Sequence, residues 1–116
     1  MAGGKDAALG AGMDALARAL KGDRAAFATA EEAFARASGN GVFEPYPIFM
    51  LELTRAFAEG RAGDADPQVR PILLALARGD AAGAVAQLPS IPEDFVGRAH
   101  LERAVVELAR RIPDQK

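Results

Sequence analysis

Glycine and proline interrupt this chain at short intervals, and the segments between them carry apolar residues at helical spacing. In the last segment, for example, apolar side chains recur every three or four residues, namely at Leu101, Val105, Leu108 and Ile112. Alternation with a period of two, which a half-buried strand requires, is not sustained anywhere. The pattern therefore predicts an all-α domain of about six helices, arranged as an irregular helical bundle or as a short stack of helical hairpins.

Side chains that can accept a hydrogen bond from a first helical turn mark five predicted helix starts. These predicted caps are Asp6, Asp23, Asp66, Asp80 and Ser90. The third helix is placed instead by Pro45 and Pro47, because proline is tolerated only in the first turn of a helix. We expect that helix to run to Glu59, and the last helix, which begins at Ser90, to reach Ile112.

Length and composition limit the number of domains and exclude several classes of site. With 116 residues the chain is one domain, and we expect residues 1–5 to be a flexible tail and residues 6–116 to be a single helical domain. The absence of cysteine excludes disulfides, thiolate nucleophiles and cysteine-based metal sites, and the single histidine excludes a histidine-rich metal site. No glycine-rich phosphate-binding loop occurs, so we expect no cofactor.

Charge and hydropathy indicate the surroundings in which the chain works. The net charge is −2, and glutamates are interleaved with the arginines of the last helix, which disfavours nucleic acid as the main partner. The N-terminal residues lack the apolar core of a signal peptide, and no apolar run approaches the roughly 20 residues of a membrane span. The sequence therefore predicts a cytoplasmic protein without a membrane partner.

Two segments resemble each other, and each consists of a helix, a Gly-Asp turn and a second helix. They are LARALKGDRAAF (Leu16–Phe27) and LLALARGDAAGA (Leu73–Ala84). Their Gly-Asp turn resembles the hinge of tetratricopeptide-type helical repeats, in which a small residue four places after the aspartate packs the helix pair. Ala84 occupies that place in the second segment and Phe27 in the first. The resemblance implies stacked helical hairpins, whose grooves can dock a partner protein.

The stretch GVFEPYPIFMLELTRAF (Gly41–Phe57) is the most aromatic part of the chain, with four of its seven aromatic residues. Helical spacing predicts a core stripe at Phe49, Leu53 and Phe57. The residues that precede or just enter the helix are not required for packing, and two charged residues lie on its polar edge. We therefore predict partner or ligand contacts at Phe43, Tyr46, Pro47, Glu52 and Arg55.

Two functions from different classes remain open. The first is a non-catalytic protein–protein interaction module, such as an adaptor, an immunity or antitoxin-like partner, or a self-associating domain that forms homodimers. The alternative is a small-molecule-binding or enzymatic bundle with a pocket around Tyr46, Glu52 and Arg55. His100 is expected on a solvated charged face with Glu107 and Arg111. Convergence of the three pocket residues on one concave cavity would favour the ligand-binding alternative.

Overall fold

The computed structural model of this chain describes residues 3–39 and 45–112, with side-chain surroundings from Ala7 onward. Within these residues there are six α-helices and no strand, which confirms the predicted all-α class. The helices are α1 (Gly3–Leu20), α2 (Ala26–Ser38), α3 (Pro45–Ala58), α4 (Arg70–Ala77), α5 (Ala81–Ala86) and α6 (Arg98–Arg111). Two short 3-10 turns, at Ala62–Asp64 and Leu88–Ser90, lie in the connections.

The first two helices approach each other closely where Gly12 faces Phe34. Phe34 is fully buried, and a Cβ placed on Gly12 would lie only 2.6–2.9 Å from three carbons of its ring. Real Cβ atoms do not come this close, so the absence of a side chain at Gly12 is what lets α2 pack on α1 at this distance.

The other helices complete one core around this pair. Helix α3 lies against α2, and α6 lies against α1, α3 and α5. The largest fully buried side chains come from five of the six helices and are Met13, Leu16, Phe34, Met50, Thr54, Ile72, Leu76, Val105 and Leu108. The radius of gyration is 13.4 Å, close to the roughly 13 Å expected of a compact domain of this length.

Both Gly-Asp segments form helix–turn–helix pairs, as predicted. Gly22 (φ 123°) joins α1 to α2, and Gly79 (φ 78°) joins α4 to α5, each in a backbone conformation that favours glycine. The second turn also lies against the end of α1, since a Cβ on Gly79 would be 3.0 Å from the carbonyl oxygen of Leu20. The two hairpins therefore meet through their backbones.

Several predicted helix starts are corrected by the structure. Asp80 does cap α5, accepting a hydrogen bond from the Gly83 N–H at 2.9 Å. Asp23 does not cap α2, because the turn after Gly22 continues and the helix begins at Ala26. Helix α1 begins at Gly3, three residues before the predicted start at Asp6, whereas Met1 and Ala2 of the predicted tail lie outside the described residues.

The predicted start of the last helix at Ser90 is wrong. The Ser90 hydroxyl instead donates to the Gln87 carbonyl at 2.6 Å and closes a 3-10 turn. Ile91 is extended, as expected of a residue before proline, so no helix can run through it. Helix α6 begins only at Arg98, after Gly97 in a left-handed conformation (φ 89°).

Substitution of Gly12 by alanine tests the close approach of α1 and α2. Alanine favours a helix by up to about 1 kcal/mol over glycine, but here its methyl group would collide with a ring that has no room to move, at a cost of about 1–3 kcal/mol. We expect Gly12→Ala to lower the free energy of unfolding, measured by urea denaturation followed by circular dichroism.

Gly10→Ala is the matched control, because it lies in the same helix and a Cβ there meets no heavy atom within 4 Å. We expect it to raise the free energy of unfolding by up to about 1 kcal/mol. Equal stabilisation by both substitutions would contradict the proposed packing.

Candidate ligand-binding site

A cleft of about 370 Å³ lies where α1, α3 and α6 meet. Its lining residues are Leu9, Gly10 and Met13 of α1, Tyr46 of α3, and Arg103, Glu107 and Arg111 of α6. The three residues of α6 are four positions apart, so they project from one face of the helix and form one wall of the cleft. Helix α1 contributes the apolar side chains of Leu9 and Met13 to the lining.

Tyr46 is the most unusual group at this cleft. Its side chain is only 5% exposed, and its buried hydroxyl oxygen has no hydrogen-bond partner among the described residues. Burial raises the pKa of Tyr46 to about 12, although the charge of Arg103 opposes this rise. The phenol therefore stays protonated at neutral pH, and its O–H group donates to no described residue.

Arg103 lies over the face of the Tyr46 ring, with the central carbon of its guanidinium 4.0 Å from the ring centroid. This is a cation–π contact, which holds the arginine in place without using its N–H groups. Within residues 7–39 and 45–112 Arg103 makes no ion pair, and its side chain is exposed.

Arg111, in contrast, is paired with carboxylates on two helices. Its Nε donates to Asp14 Oδ1 at 2.6 Å, and its Nη1 donates to Glu107 Oε1 at 2.9 Å and to the Glu107 carbonyl at 3.0 Å. Burial opposes the charge of Arg111, but the hydrogen bonds to Asp14 and Glu107 outweigh it and raise the pKa of Arg111. This group links the first helix to the last, 97 residues apart in sequence.

The structure separates the residues that were predicted to form one pocket. Tyr46 lines the cleft, but Glu52 and Arg55 are exposed, and Arg55 Nε lies 3.4 Å from Glu31 of α2. At 100° per residue, Glu52 and Arg55 lie roughly 120° and 180° from Tyr46 around the helix. A pocket that joins Tyr46 to Glu52 and Arg55 is therefore not formed.

The aromatic residues at the start of α3 are also placed differently from the prediction. Tyr46 and Pro47 are buried in the first turn of the helix, so packing does require Tyr46, contrary to the expectation from sequence. The buried stripe of α3 is Tyr46, Met50, Leu53 and Phe57, whereas Phe49 is only half-buried. Phe43 lies outside the described residues, and its role as a contact stays a prediction.

The wall formed by α6 was not recognised from sequence. The repeat of charged residues at positions 103, 107 and 111 has the pattern of a solvated helix face, which is also where His100 was expected. His100 is in fact half-buried, with its ring centroid 5.7 Å from that of Tyr46 and 5.5 Å from that of Phe49. The predicted pair of Glu107 with Arg111 is confirmed at 2.9 Å.

A metal centre built from histidine and acidic side chains would need several of them close together. In the described part of the chain, no group of three such side chains is placed to hold a metal ion. None of the described helices combines the length and the apolar character needed to cross a membrane.

Comparison with known proteins gives no match: no family model, no curated protein and no solved structure is similar to this chain. The resemblance of the two helical hairpins to tetratricopeptide-type repeats therefore stays a prediction.

The pKa of Tyr46 can be measured directly, because this is the only tyrosine and the chain has no tryptophan. We expect the absorbance of the native protein to show tyrosinate forming with a midpoint near pH 12, and near pH 10 when the chain is unfolded in urea. Since the pKa of Tyr46 is higher in the folded state than in the unfolded state, the contribution of Tyr46 to the free energy of unfolding is fully present below pH 10. It is lost as the pH rises from 10 towards 12.

Tyr46→Phe controls for other groups that titrate at high pH, and the part of the stability loss due to Tyr46 should be absent from it. A native midpoint near pH 10 would show that the phenol is not buried as described.

Proposed function

We propose that this protein binds a small molecule in the cleft between α1, α3 and α6. The observation that carries the proposal is the buried Tyr46 hydroxyl, which has no partner in the part of the chain that the structure describes. Leaving a buried hydroxyl unpaired costs about 1–3 kcal/mol, and phenylalanine would fill the same space without that cost. Thr54, a second fully buried hydroxyl, does have a partner, because it donates to the Met50 carbonyl at 2.7 Å.

The shape and lining of the cleft support the same proposal. A volume of about 370 Å³ lies within the range of small-molecule sites, which combine apolar walls with a few polar groups. Leu9 and Met13 supply apolar surface here, and Tyr46 and Arg103 supply hydrogen-bond donors that no neighbouring described residue uses. Two residues with unused donors, one on α3 and one on α6, thus line the same cavity, and a small movement of the Arg103 side chain would bring both donors to a ligand.

Two substitutions change the cleft while preserving the fold. Gly10 lines the cleft, and a Cβ at this position would meet no heavy atom within 4 Å, so Gly10→Leu fills the cavity without a collision at the Cβ. Tyr46→Phe removes only the unpaired hydroxyl. We expect Tyr46→Phe to raise the free energy of unfolding of the ligand-free protein by about 1 kcal/mol, measured by urea denaturation.

A thermal-shift screen of small molecules against the unmodified chain tests the function itself. We expect compounds that raise its melting temperature to have no effect on Gly10→Leu and a reduced effect on Tyr46→Phe. Compounds that stabilise Gly10→Leu equally bind elsewhere, and a screen in which only such compounds are found would contradict the proposal.

The protein–protein interaction module is a second proposal, supported by one observation on the connection between α5 and α6. Val96 is 92% exposed there, and with Phe95 and His100 it lines an open groove of about 630 Å³. An apolar side chain held almost wholly in water beside such a groove is suited to anchor a partner protein or a second copy of this chain. Tyr46 and Pro47 are buried and do not support this proposal.

Val96→Asp tests the interaction proposal, because a charge in the groove would prevent an apolar contact. We expect it to abolish any concentration-dependent dimer seen by light scattering, and any partner captured with the unmodified protein. Ala28→Asp adds the same charge at an exposed position of α2 and should change neither result. If Val96→Asp retains every partner and every dimer, the groove is not the interface.

A further inference from the structure

Among the described residues around the cleft, the charges are balanced except for one. Arg111 is paired with Asp14 and Glu107, and Glu107 is also 3.8 Å from Arg110. These two arginines and two carboxylates compensate one another. Arg103 is left as a surplus positive charge at the cleft, in a protein whose net charge is −2. A local positive charge of one unit favours a ligand with a single negative charge.

The donors are arranged to receive an anionic group. The guanidinium of Arg103 stacks on the face of the Tyr46 ring, and the unpaired hydroxyl of Tyr46 lies at the edge of the same ring. A planar guanidinium presents two parallel N–H groups, which match the two oxygens of a carboxylate. Because stacking on the ring holds Arg103 without occupying its N–H groups, these groups remain free to bind a ligand.

The other residues of the cleft determine which kind of molecule can carry the anionic group. Leu9 and Met13 offer apolar surface, and Gly10 between them leaves the space open. The volume of about 370 Å³ is near the lower end of the range of small-molecule sites, which favours a short ligand. The single unpaired charge of Arg103 leaves the second charge of a dianion such as a phosphate monoester uncompensated, which disfavours that class of ligand.

We propose that the cleft binds a short-chain aliphatic monocarboxylate, with the carboxylate held by Arg103 and the Tyr46 hydroxyl and the alkyl chain against Leu9 and Met13. This proposal rests on the function proposed above, since it names the class of ligand for the same cleft. It adds a claim of its own, namely that one negative charge is required.

Four probes separate the two claims: sodium hexanoate, 1-hexanol, hexylamine and inorganic phosphate. Binding is followed by the fluorescence of Tyr46, the only tyrosine in a chain without tryptophan, and by calorimetry. Charge-assisted hydrogen bonds contribute about 1.5–3 kcal/mol, so we expect hexanoate to bind roughly ten to a hundred times more tightly than hexanol. Hexylamine and phosphate should bind more weakly than hexanol.

Substitutions assign the charge to Arg103. Arg103→Gln is expected to weaken hexanoate binding roughly ten- to a hundredfold and to leave hexanol binding unchanged. Arg36→Gln removes the same charge from an exposed position on α2 and should leave hexanoate binding unchanged. Tyr46→Phe, followed by calorimetry, should weaken hexanoate binding several-fold, and Gly10→Leu should abolish the binding of hexanoate and hexanol alike.

The outcomes distinguish the two proposals. If hexanol or hexylamine binds as tightly as hexanoate and Gly10→Leu abolishes that binding, the cleft is a ligand site but the requirement for a carboxylate is wrong. Tighter binding of phosphate than of hexanoate also overturns the monocarboxylate proposal. If hexanoate binds equally to the unmodified chain and to Gly10→Leu, it does not occupy the cleft, and the monocarboxylate proposal is wrong.

Discussion

The contact between Gly12 and Phe34 is the constraint on which the rest of this structure depends. Most of the buried side chains on α1 and α2 are alanines, which cover little surface, so these helices gain stability only by lying close together. The missing side chain at Gly12 allows that distance, and the fully buried ring of Phe34 fills the space it leaves. The helix pair formed in this way is the surface on which α3 and α6 then pack.

The cleft follows from how the last helix closes on this pair. Arg111 reaches Asp14 on α1, which brings the two helices together at one end, while Gly10 leaves open space nearby because it has no side chain. Tyr46, at the first turn of α3, closes the remaining side. The cleft is thus a gap between three helices whose positions are set elsewhere in the core, which is how a largely preformed site arises.

Features determined by neighbouring residues could be predicted from the sequence, and those determined by docking could not. The turns at Gly22 and Gly79, the cap at Asp80 and the start of α3 at Pro45 depend on local backbone geometry, and the structure agrees with each prediction. The predicted helix start at Ser90 is wrong although the local sequence has the pattern of a helix cap. The reason is that the Ser90 hydroxyl bonds to the Gln87 carbonyl in a preceding 3-10 turn.

The candidate site is one of the features that depend on how the helices dock, and it could not be predicted from the sequence. Helix α3 is apolar on most of its surface, so its sequence does not show which stripe faces α6 and which faces solvent. From the sequence, Tyr46 was therefore not expected to be buried, and Arg103 was expected to be one of several solvated charges. The structure instead buries Tyr46 and stacks Arg103 on its ring. Each of the two residues is a candidate for ligand binding because of its contact with the other, which lies on a different helix. The spacing of residues along a single helix does not reveal such a contact.

The meeting of Gly79 with the Leu20 carbonyl has a consequence for how the molecule opens. Where two hairpins touch only through side chains, each can loosen separately, and the protein has two regions of different local stability. Here the turn of the second hairpin lies against the carbonyl of Leu20 at the end of α1, so displacing one hairpin uncovers the backbone of the other. Hydrogen exchange at the end of α1 and at the start of α5 should therefore share a single opening event.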